Sequence, residues 1–405
     1  MKFPAFISRR ITSSAAGFSA VIHRIAIISI AVGLAAMIVS FLVMKGFQTT
    51  VQDKIYSFSA HLNVNRITTG NSMEEPPFPF RINVYNYPDS FPDIAHVQEY
   101  SHKAGLIKTE QEITGILLKG VGKSFSLERF KEHIKEGSFL QFPDSGYSDQ
   151  VVISRLVADR LQVKVGDPIT IHFFQNPPRA RRLKISGIYE TNLSDYFDEK
   201  IILCDLALIQ RLNGWSADEA GGLQIFLKDP EKTWLVYLNL LDRVPYDLYV
   251  EPTANRYIQV FEWLNLITRQ VNILLVIILL VVCVNMISVI LILVMERASM
   301  IGILKALGAT NPLVRNIFIN QGVNLVFRGL IFGNLFGLGL CWIQDRFRII
   351  TLDAKNYYMD YVPIYWDWGM VIILNLLVFT VVTVVLILPV LIISRIRPVS
   401  AIRFD

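Results

Sequence analysis

The chain has 405 residues, of which 52% are hydrophobic and 18% are charged, with a formal net charge of +5. Soluble domains carry about 25% charged residues, so this composition argues against an ordinary soluble enzyme, a disordered chain or a nucleic-acid-binding protein. The three cysteines, Cys204, Cys283 and Cys341, form no C-x-x-C pair, which argues against a disulfide framework or a zinc site.

Four apolar stretches are long enough to cross a bilayer, which requires about 20 residues. Residues 25–44, 271–295 and 368–394 contain no charged side chain, and 317–343 is interrupted by Arg328. The first stretch is longer than the apolar run of a signal peptide, and no clear cleavage motif follows it. We therefore predict a membrane protein with four transmembrane α-helices in a one-plus-three arrangement.

Basic residues near the spans predict the orientation, because Lys and Arg are enriched on the cytoplasmic side. Residues 1–24 contain four basic residues and no acidic one, whereas residues 45–270 contain 25 basic and 28 acidic ones. Both termini are therefore expected inside, with the large domain outside. The predicted segments are a cytoplasmic amphipathic N-terminus (1–24), transmembrane helix 1 (25–44), an outer domain with stalk helices (45–270), transmembrane helix 2 (271–295), a cytoplasmic helical segment (296–316), transmembrane helix 3 (317–343), an outer loop (344–367), transmembrane helix 4 (368–394) and a cytoplasmic tail (395–405).

The large outer segment is predicted to be an α+β domain. Apolar and polar residues alternate in 169–173 and 183–189, which predicts strands. Helices are expected at 154–161, 124–136 and 229–243.

Apolar residues at helical spacing also flank the outer segment and predict two stalk helices. Two ordinary amphipathic helices of the outer domain are the alternative. The residues that form these stripes are Phe47, Val51, Ile55 and Phe58 after the first span, and Tyr257, Phe261 and Leu264 before the second.

The segment between the second and third spans carries the main functional signal. Met300, Ile303, Leu304 and Leu307 are spaced as one apolar face of a short helix, which Gly308 is placed to end. Such a helix on the cytoplasmic side is expected to dock into a partner's groove; lying flat on lipid is the alternative.

This segment, Met295-Glu296-Arg297 to Ala309, resembles the coupling segment of FtsX-type ABC transporter permeases, most closely that of the lipoprotein-releasing (Lol-type) branch. Weaker similarities follow in order along nearly the whole chain. They include Ser8-Arg9-Arg10, Ala60-His61-Leu62, Leu118-Lys119-Gly120-Val121, Val163 to Asp167, Gln321-Gly322, Tyr361 to Ile364 and Pro398 to Arg403.

The resemblance implies a permease subunit that hydrolyses no ATP, needs no cofactor and works with cytoplasmic ABC ATPase subunits. It further implies a second permease (identical or related), a lipoprotein substrate, a periplasmic carrier and a place in the inner membrane. The residues expected to couple to the ATPase are Glu296, Arg297, Met300, Ile301, Ile303, Leu304, Lys305, Leu307 and Gly308.

Two further groups of residues are predicted to serve the membrane spans. A substrate cavity is expected to be lined by Met37, Phe41, Met44 and Phe47, since flexible Met and aromatic side chains suit varied acyl chains. Gly329, Gly333 and Gly337 are spaced by four and predict close helix packing.

Three other functions stay open at this level. A MacB-type efflux permease commonly carries its ATPase in the same chain, and an FtsX-type mechanotransmitting subunit generally has a smaller outer domain. A membrane-anchored adhesion or receptor protein would leave residues 299–307 without a purpose. The motif Gly120-Val121-Gly122-Lys123-Ser124 resembles half of a phosphate-binding loop, but Leu117 stands where the pattern requires glycine.

Overall fold

The computed structural model describes residues 18–68, 74–108, 113–193, 197–353 and 357–391. The predicted features at Ser8-Arg9-Arg10 and in the tail 395–405 lie outside these residues. The chain forms two compact units. Of the described residues, a helical unit contains 18–49, Trp263–Thr351 and 361–391, and a sheet unit contains those within Thr50–Glu262 and Leu352–Asp360.

The described helices include four that are long and apolar enough to cross a membrane, α1, α8, α10 and α11. In chain order the helices are α1 (Phe18–Ser59), α2 (Asn83–Asn86), α3 (Leu127–Phe130), α4 (Arg155–Leu161), α5 (Leu206–Asn213), α6 (Thr233–Leu241), α7 (Thr253–Arg256), α8 (Ile258–Glu296), α9 (Ala298–Ala306), α10 (Asn311–Phe347), α11 (Trp368–Val385) and α12 (Ile387–Leu391).

Helix α1 is the most buried of the four spans. In the most apolar 18-residue stretch of α1, 56% of the residues are buried. The corresponding fractions are 33% for α8, 33% for α10 and 28% for α11. Ile30, Leu34 and Ile38 of α1 belong to one apolar core together with Met286 of α8 and Phe318 of α10. Helices α1, α8 and α10 therefore contribute to one common core.

Amide side chains also join the spans. Asn285 of α8 donates a hydrogen bond to Ser29 Oγ of α1 at 2.6 Å. Asn334 of α10 and Asn375 of α11 donate to each other's side-chain oxygens at 2.7 and 2.9 Å. Each amide thereby satisfies polar atoms that would otherwise face hydrocarbon.

The sheet unit is built on one mixed sheet with a small two-stranded sheet beside it. The strands are β1 (Leu62–Arg66), β2 (Phe78–Pro79), β3 (Ile94–Lys108), β4 (Ile113–Val121), β5 (Ile134–Gly137), β6 (Gln150–Ser154), β7 (Pro168–Phe173), β8 (Arg179–Tyr189), β9 (Ile201–Asp205), β10 (Glu219–Ala220), β11 (Gly222–Leu227) and β12 (Leu248–Pro252).

The order along the main sheet is β12-β1-β11-β3-β4-β9-β6-β8-β5, and β7 pairs with β3 and β8. The pairs β4–β9 and β6–β8 are parallel, and the others are antiparallel. Two apolar cores lie on this sheet. One includes Leu183 and Ile185 of β8 with α4 and α5, and the other includes Val236 and Leu240 of α6.

The predicted fold class, four transmembrane helices with an α+β domain between the first and second, is confirmed. The helix expected at 124–136 is wrong over much of its length. Only Leu127–Phe130 is α-helical, a 3₁₀ turn follows, and Ile134–Gly137 is a strand. The reason is tertiary, because this strand pairs with the edge of β8.

Candidate functional site

The predicted coupling segment is a separate short helix, α9, between the long helices α8 and α10. Its end is a Schellman motif. Gly308 has a φ of +91°, its N–H donates to the carbonyl of Lys305, and the N–H of Ala309 donates to that of Leu304 at 2.9 Å. Space around Gly308 is open, so glycine is required here for backbone conformation and not for close packing.

The apolar residues of α9 divide between the interior and the surface. Leu307 is 80% exposed and Ile303 is 53% exposed, whereas Ile301 is fully buried in the core of the helical unit. Met300 and Leu304 are half-buried. The surface that a partner can reach is therefore centred on Ile303 and Leu307, and Ile301 anchors the helix from behind.

Polar residues flank this surface. Glu296 is exposed, and Lys305 is half-buried. The Nε atoms of Arg297 and Arg315 are buried and have no hydrogen-bond partner in the described part of the chain. The Arg297 carbonyl accepts the N–H of Ile301 at 3.0 Å, so the backbone of Arg297 forms the start of α9.

The four residues predicted to line a substrate cavity do not share one open surface. Met37 and Met44 are buried, and Phe41 and Phe47 are half-buried. The ring of Phe47 packs edge-on against Trp263 with centroids 5.4 Å apart. In this conformation these side chains contribute to the packing of the helical unit.

The three glycines of α10 lie against α1. A Cβ atom added to Gly329 would be 2.6 Å from Ile30 Cβ, and one added to Gly333 would be 2.9 Å from Leu34 Cβ. At Gly337 the nearest atom is the Cα of Ala35, at 3.0 Å. Only glycine permits this approach of the two helices.

The C-terminal end of α1 is held by a buried lysine in the sheet unit, which the sequence analysis missed. Lys119 of β4 is 2% exposed, and its ammonium group donates hydrogen bonds to the backbone carbonyl of Phe58 and to Gln224 Oε1. It also lies 4.5 Å from the centre of the Phe58 ring. Burial, reinforced by the positive charge of Arg256, lowers the pKa of Lys119 to about 7.

This lysine satisfies one of the carbonyl groups that a helix leaves unpaired at its C-terminus, and its positive charge suits that end of the helix dipole. Gln224 Nε2 donates to the same Phe58 carbonyl at 3.3 Å. A lysine directly after the apolar run Ile116-Leu117-Leu118 was the available signal in the sequence, since lysine is almost never fully buried without a partner.

The residues that resemble half of a phosphate-binding loop have a structural role. A Cβ atom at Gly122 would lie against the Glu99 carboxylate, which also accepts hydrogen bonds from Tyr85 and Ser124. A buried carboxylate at this position would repel a phosphate. The described residues contain no cluster of three or more His, Cys, Asp or Glu suited to a metal ion, and the three cysteines are buried and unpaired.

Comparisons with known proteins agree with this architecture. The family model for the MacB-like periplasmic core domain matches residues 25–236, and that for the FtsX-like permease C-terminal region matches residues 272–398. The lipoprotein-releasing system transmembrane protein LolE of Haemophilus influenzae is 23% identical over 369 residues, which cover 86% of each chain. The corresponding LolC of Xylella fastidiosa is 23% identical over 406 residues, 96% of this chain and 95% of the relative.

Among solved structures, the periplasmic region of MacB from Actinobacillus actinomycetemcomitans is similar with 12% sequence identity and a TM-score of 0.34. The match covers 51% of this chain and 95% of that one.

The four apolar helices and the matched periplasmic core domain fit a multi-pass inner-membrane protein with that domain in the periplasm. Because one family model spans more than half of the chain and the second covers most of the remainder, the chain belongs to the FtsX-type ABC transporter permeases that carry a MacB-like periplasmic core domain.

Proposed function

We propose that this chain is the permease subunit of an ATP-driven transporter that releases lipoproteins from the inner membrane toward a periplasmic carrier. The names of its relatives support the lipoprotein substrate, since both are lipoprotein-releasing system proteins. The permease hydrolyses no ATP itself and pairs with a second permease, identical or related. Cytoplasmic ABC ATPase subunits supply the energy.

The release step requires such an energy source. Transfer of an acyl chain out of lipid opposes about 0.8 kcal/mol for each CH₂ group. In this proposal, closure of the ATPase pair displaces α9, and the spans carry the displacement to the periplasmic domain. The acyl chains then leave the outer leaflet between the two permeases and pass to the carrier.

The exposure of α9 is the observation that carries the coupling role. Leu307 and Ile303 are 80% and 53% exposed on a helix whose ends are fixed by backbone hydrogen bonds. A rigid helix with two accessible apolar side chains is suited to a protein groove. The buried Ile301 would transmit the displacement to the core of the helical unit.

The test replaces Leu307 with Asp in the full chain and measures how much ATPase copurifies. Buried apolar anchors in interfaces contribute about 2 kcal/mol or more, so we expect copurification to fall at least roughly 30-fold. The permease itself should remain in the membrane fraction, because Leu307 makes little contact with the rest of the chain. Leu241→Asp is the matched control, since Leu241 is 46% exposed on α6 of the sheet unit.

Unchanged ATPase binding by Leu307→Asp would refute the coupling role and favour a helix that lies on lipid. Loss of binding by both variants would indicate general misfolding, which membrane extraction and thermal unfolding would reveal. The substrate is tested separately, by asking whether a lipidated protein or only a small drug or peptide copurifies with the assembled complex. The second result would favour the efflux alternative.

A further inference from the structure

A long apolar groove runs between α1 and α10 in the helical unit. Its volume is 670 Å³, within the range of about 300–1,000 Å³ that is typical of ligand sites. Its lining combines alanine and branched apolar residues of α1 with aromatic and apolar residues of α10. The lining includes Ile28, Ala31, Ala36, Phe332, Phe336 and Leu340.

One arginine lines this groove, and a second lies about one helical turn before its first aromatic residue on α10. Arg24 of α1 lines it directly. Arg328 of α10 precedes Phe332 and Phe336 by four and eight residues, and it therefore lies on the same side of the helix. Both side chains belong to exposed residues. Neither forms an ion pair or hydrogen bond with any residue that the structure describes.

The helix packing places the two arginines at nearby depths. Gly329 packs against Ile30 of α1, so the adjacent Arg328 lies at about the depth of Ile30. Ile30 follows Arg24 by six residues along α1. Six helical residues span about 9 Å, and an arginine side chain can extend toward the nearer interface over most of that distance. Because the N-terminal side is predicted to be cytoplasmic, both guanidinium groups can reach the headgroup level of the inner leaflet.

We propose that the groove between α1 and α10 binds one anionic phospholipid of the inner leaflet. Its phosphate lies between Arg24 and Arg328, and one acyl chain lies along Phe332 and Phe336. Arginine suits this role because its planar donors pair with two phosphate oxygens at once. Basic pockets between transmembrane helices on the cytoplasmic side are known to bind anionic headgroups.

A second copy of this chain is a poorer occupant for the same groove. A two-fold axis normal to the membrane keeps each residue at the same depth in both copies. If the axis passed along the groove, Arg24 and Arg328 would come close to the same two arginines of the other copy, and their positive charges would repel each other. An anionic lipid neutralises these charges.

The test titrates the purified full chain in detergent with phosphatidylglycerol or phosphatidylcholine and counts bound lipids by native mass spectrometry. We expect tighter binding of phosphatidylglycerol. In the double variant Arg24→Gln, Arg328→Gln its affinity should fall roughly 30-fold, since each basic residue at the membrane surface contributes about fivefold. Arg346→Gln is the matched control, because Arg346 is exposed near the opposite end of α10.

A second pair of variants tests the acyl-chain part of the site without touching the charges. Ala36→Phe fills the groove and should weaken phosphatidylglycerol binding. Ile331→Phe should not weaken it, because Ile331 is exposed on α10 and does not line the groove.

Unchanged phosphatidylglycerol affinity in the double arginine variant would overturn the proposal. Displacement of the lipid by free inorganic phosphate would also overturn it. Disulfide formation between copies that carry Val32→Cys would overturn it as well, because a disulfide there would show that a second copy occupies the groove.

Discussion

Lys119 gives the most informative test of how the end of α1 is held, because its ionisation should affect the stability of the folded protein. The perturbation is Lys119→Met, which keeps an unbranched apolar chain and removes the amino group. In the wild-type protein that group donates to the Phe58 carbonyl and, at 3.2 Å, to Gln224 Oε1. Its burial lowers the pKa from 10.5 to about 7.

The direction of the pH effect follows from the two pKa values. Between pH 7 and pH 10.5 the unfolded chain keeps the Lys119 proton while the folded protein releases it, so stability rises with pH in this window. The slope approaches about 1.4 kcal/mol per pH unit. Between pH 7 and pH 9 the gain is therefore about 2–3 kcal/mol, which corresponds to an increase in Tm of roughly 4–12 °C for a unit of this size.

The assay is thermal unfolding of the full chain in detergent at pH 7, 8 and 9, followed by tryptophan fluorescence. The rise in Tm should be clearly smaller in Lys119→Met than in the wild type, while Lys164→Met, at an exposed position, should keep the full rise. Equal slopes in the wild type and Lys119→Met would refute the assignment of a buried, readily deprotonated amine.

Two further predictions concern the packing of the spans. Gly333→Leu should lower the free energy of unfolding by about 1–3 kcal/mol, because a Cβ atom there would lie 2.9 Å from Leu34 Cβ. Gly339→Leu is the control on the same helix and should be nearly neutral, because the space around Gly339 is open. Thermal unfolding in detergent measures both, and equal losses would contradict a packing role for Gly333. Alanine replacements of Asn334 and Asn375, singly and together, should give a coupling energy of about 0.6–1.7 kcal/mol, and strictly additive losses would show that the reciprocal hydrogen bonds contribute nothing.

The four spans were predictable from the sequence because each is a long apolar stretch, whereas their ends were not. The uncharged run 25–44 continues as helix to Ser59, and 271–295 begins as helix at Ile258. Polar residues do not stop a helix when one face stays apolar. The fully buried side chains of Val51 and Ile55 lie on the stripe that predicted the first stalk.

Which apolar residue points to the core was much harder to predict. The chemistry of Met37 and Met44 suits a cavity for acyl chains, but both side chains are buried inside the helical unit. A helix that is apolar on every side gives no periodic signal to separate core from lipid. The same limit applies to α9, where spacing predicted the helix and its glycine end, while tertiary packing decided that Ile301 is buried and Leu307 is exposed.

The two glycines in the membrane-spanning part of α1 bear on whether this helix can carry a displacement. Glycine loosens an isolated helix, yet here each is enclosed: a Cβ atom at Gly33 would overlap Val282, and one at Gly46 would lie 2.6 Å from the carbonyl oxygen of Pro363. Neighbouring segments therefore restrict bending where the helix itself is weakest. A hinge at either glycine is therefore disfavoured within the helical unit. At the other end of α1, Lys119 holds the Phe58 carbonyl within the sheet unit.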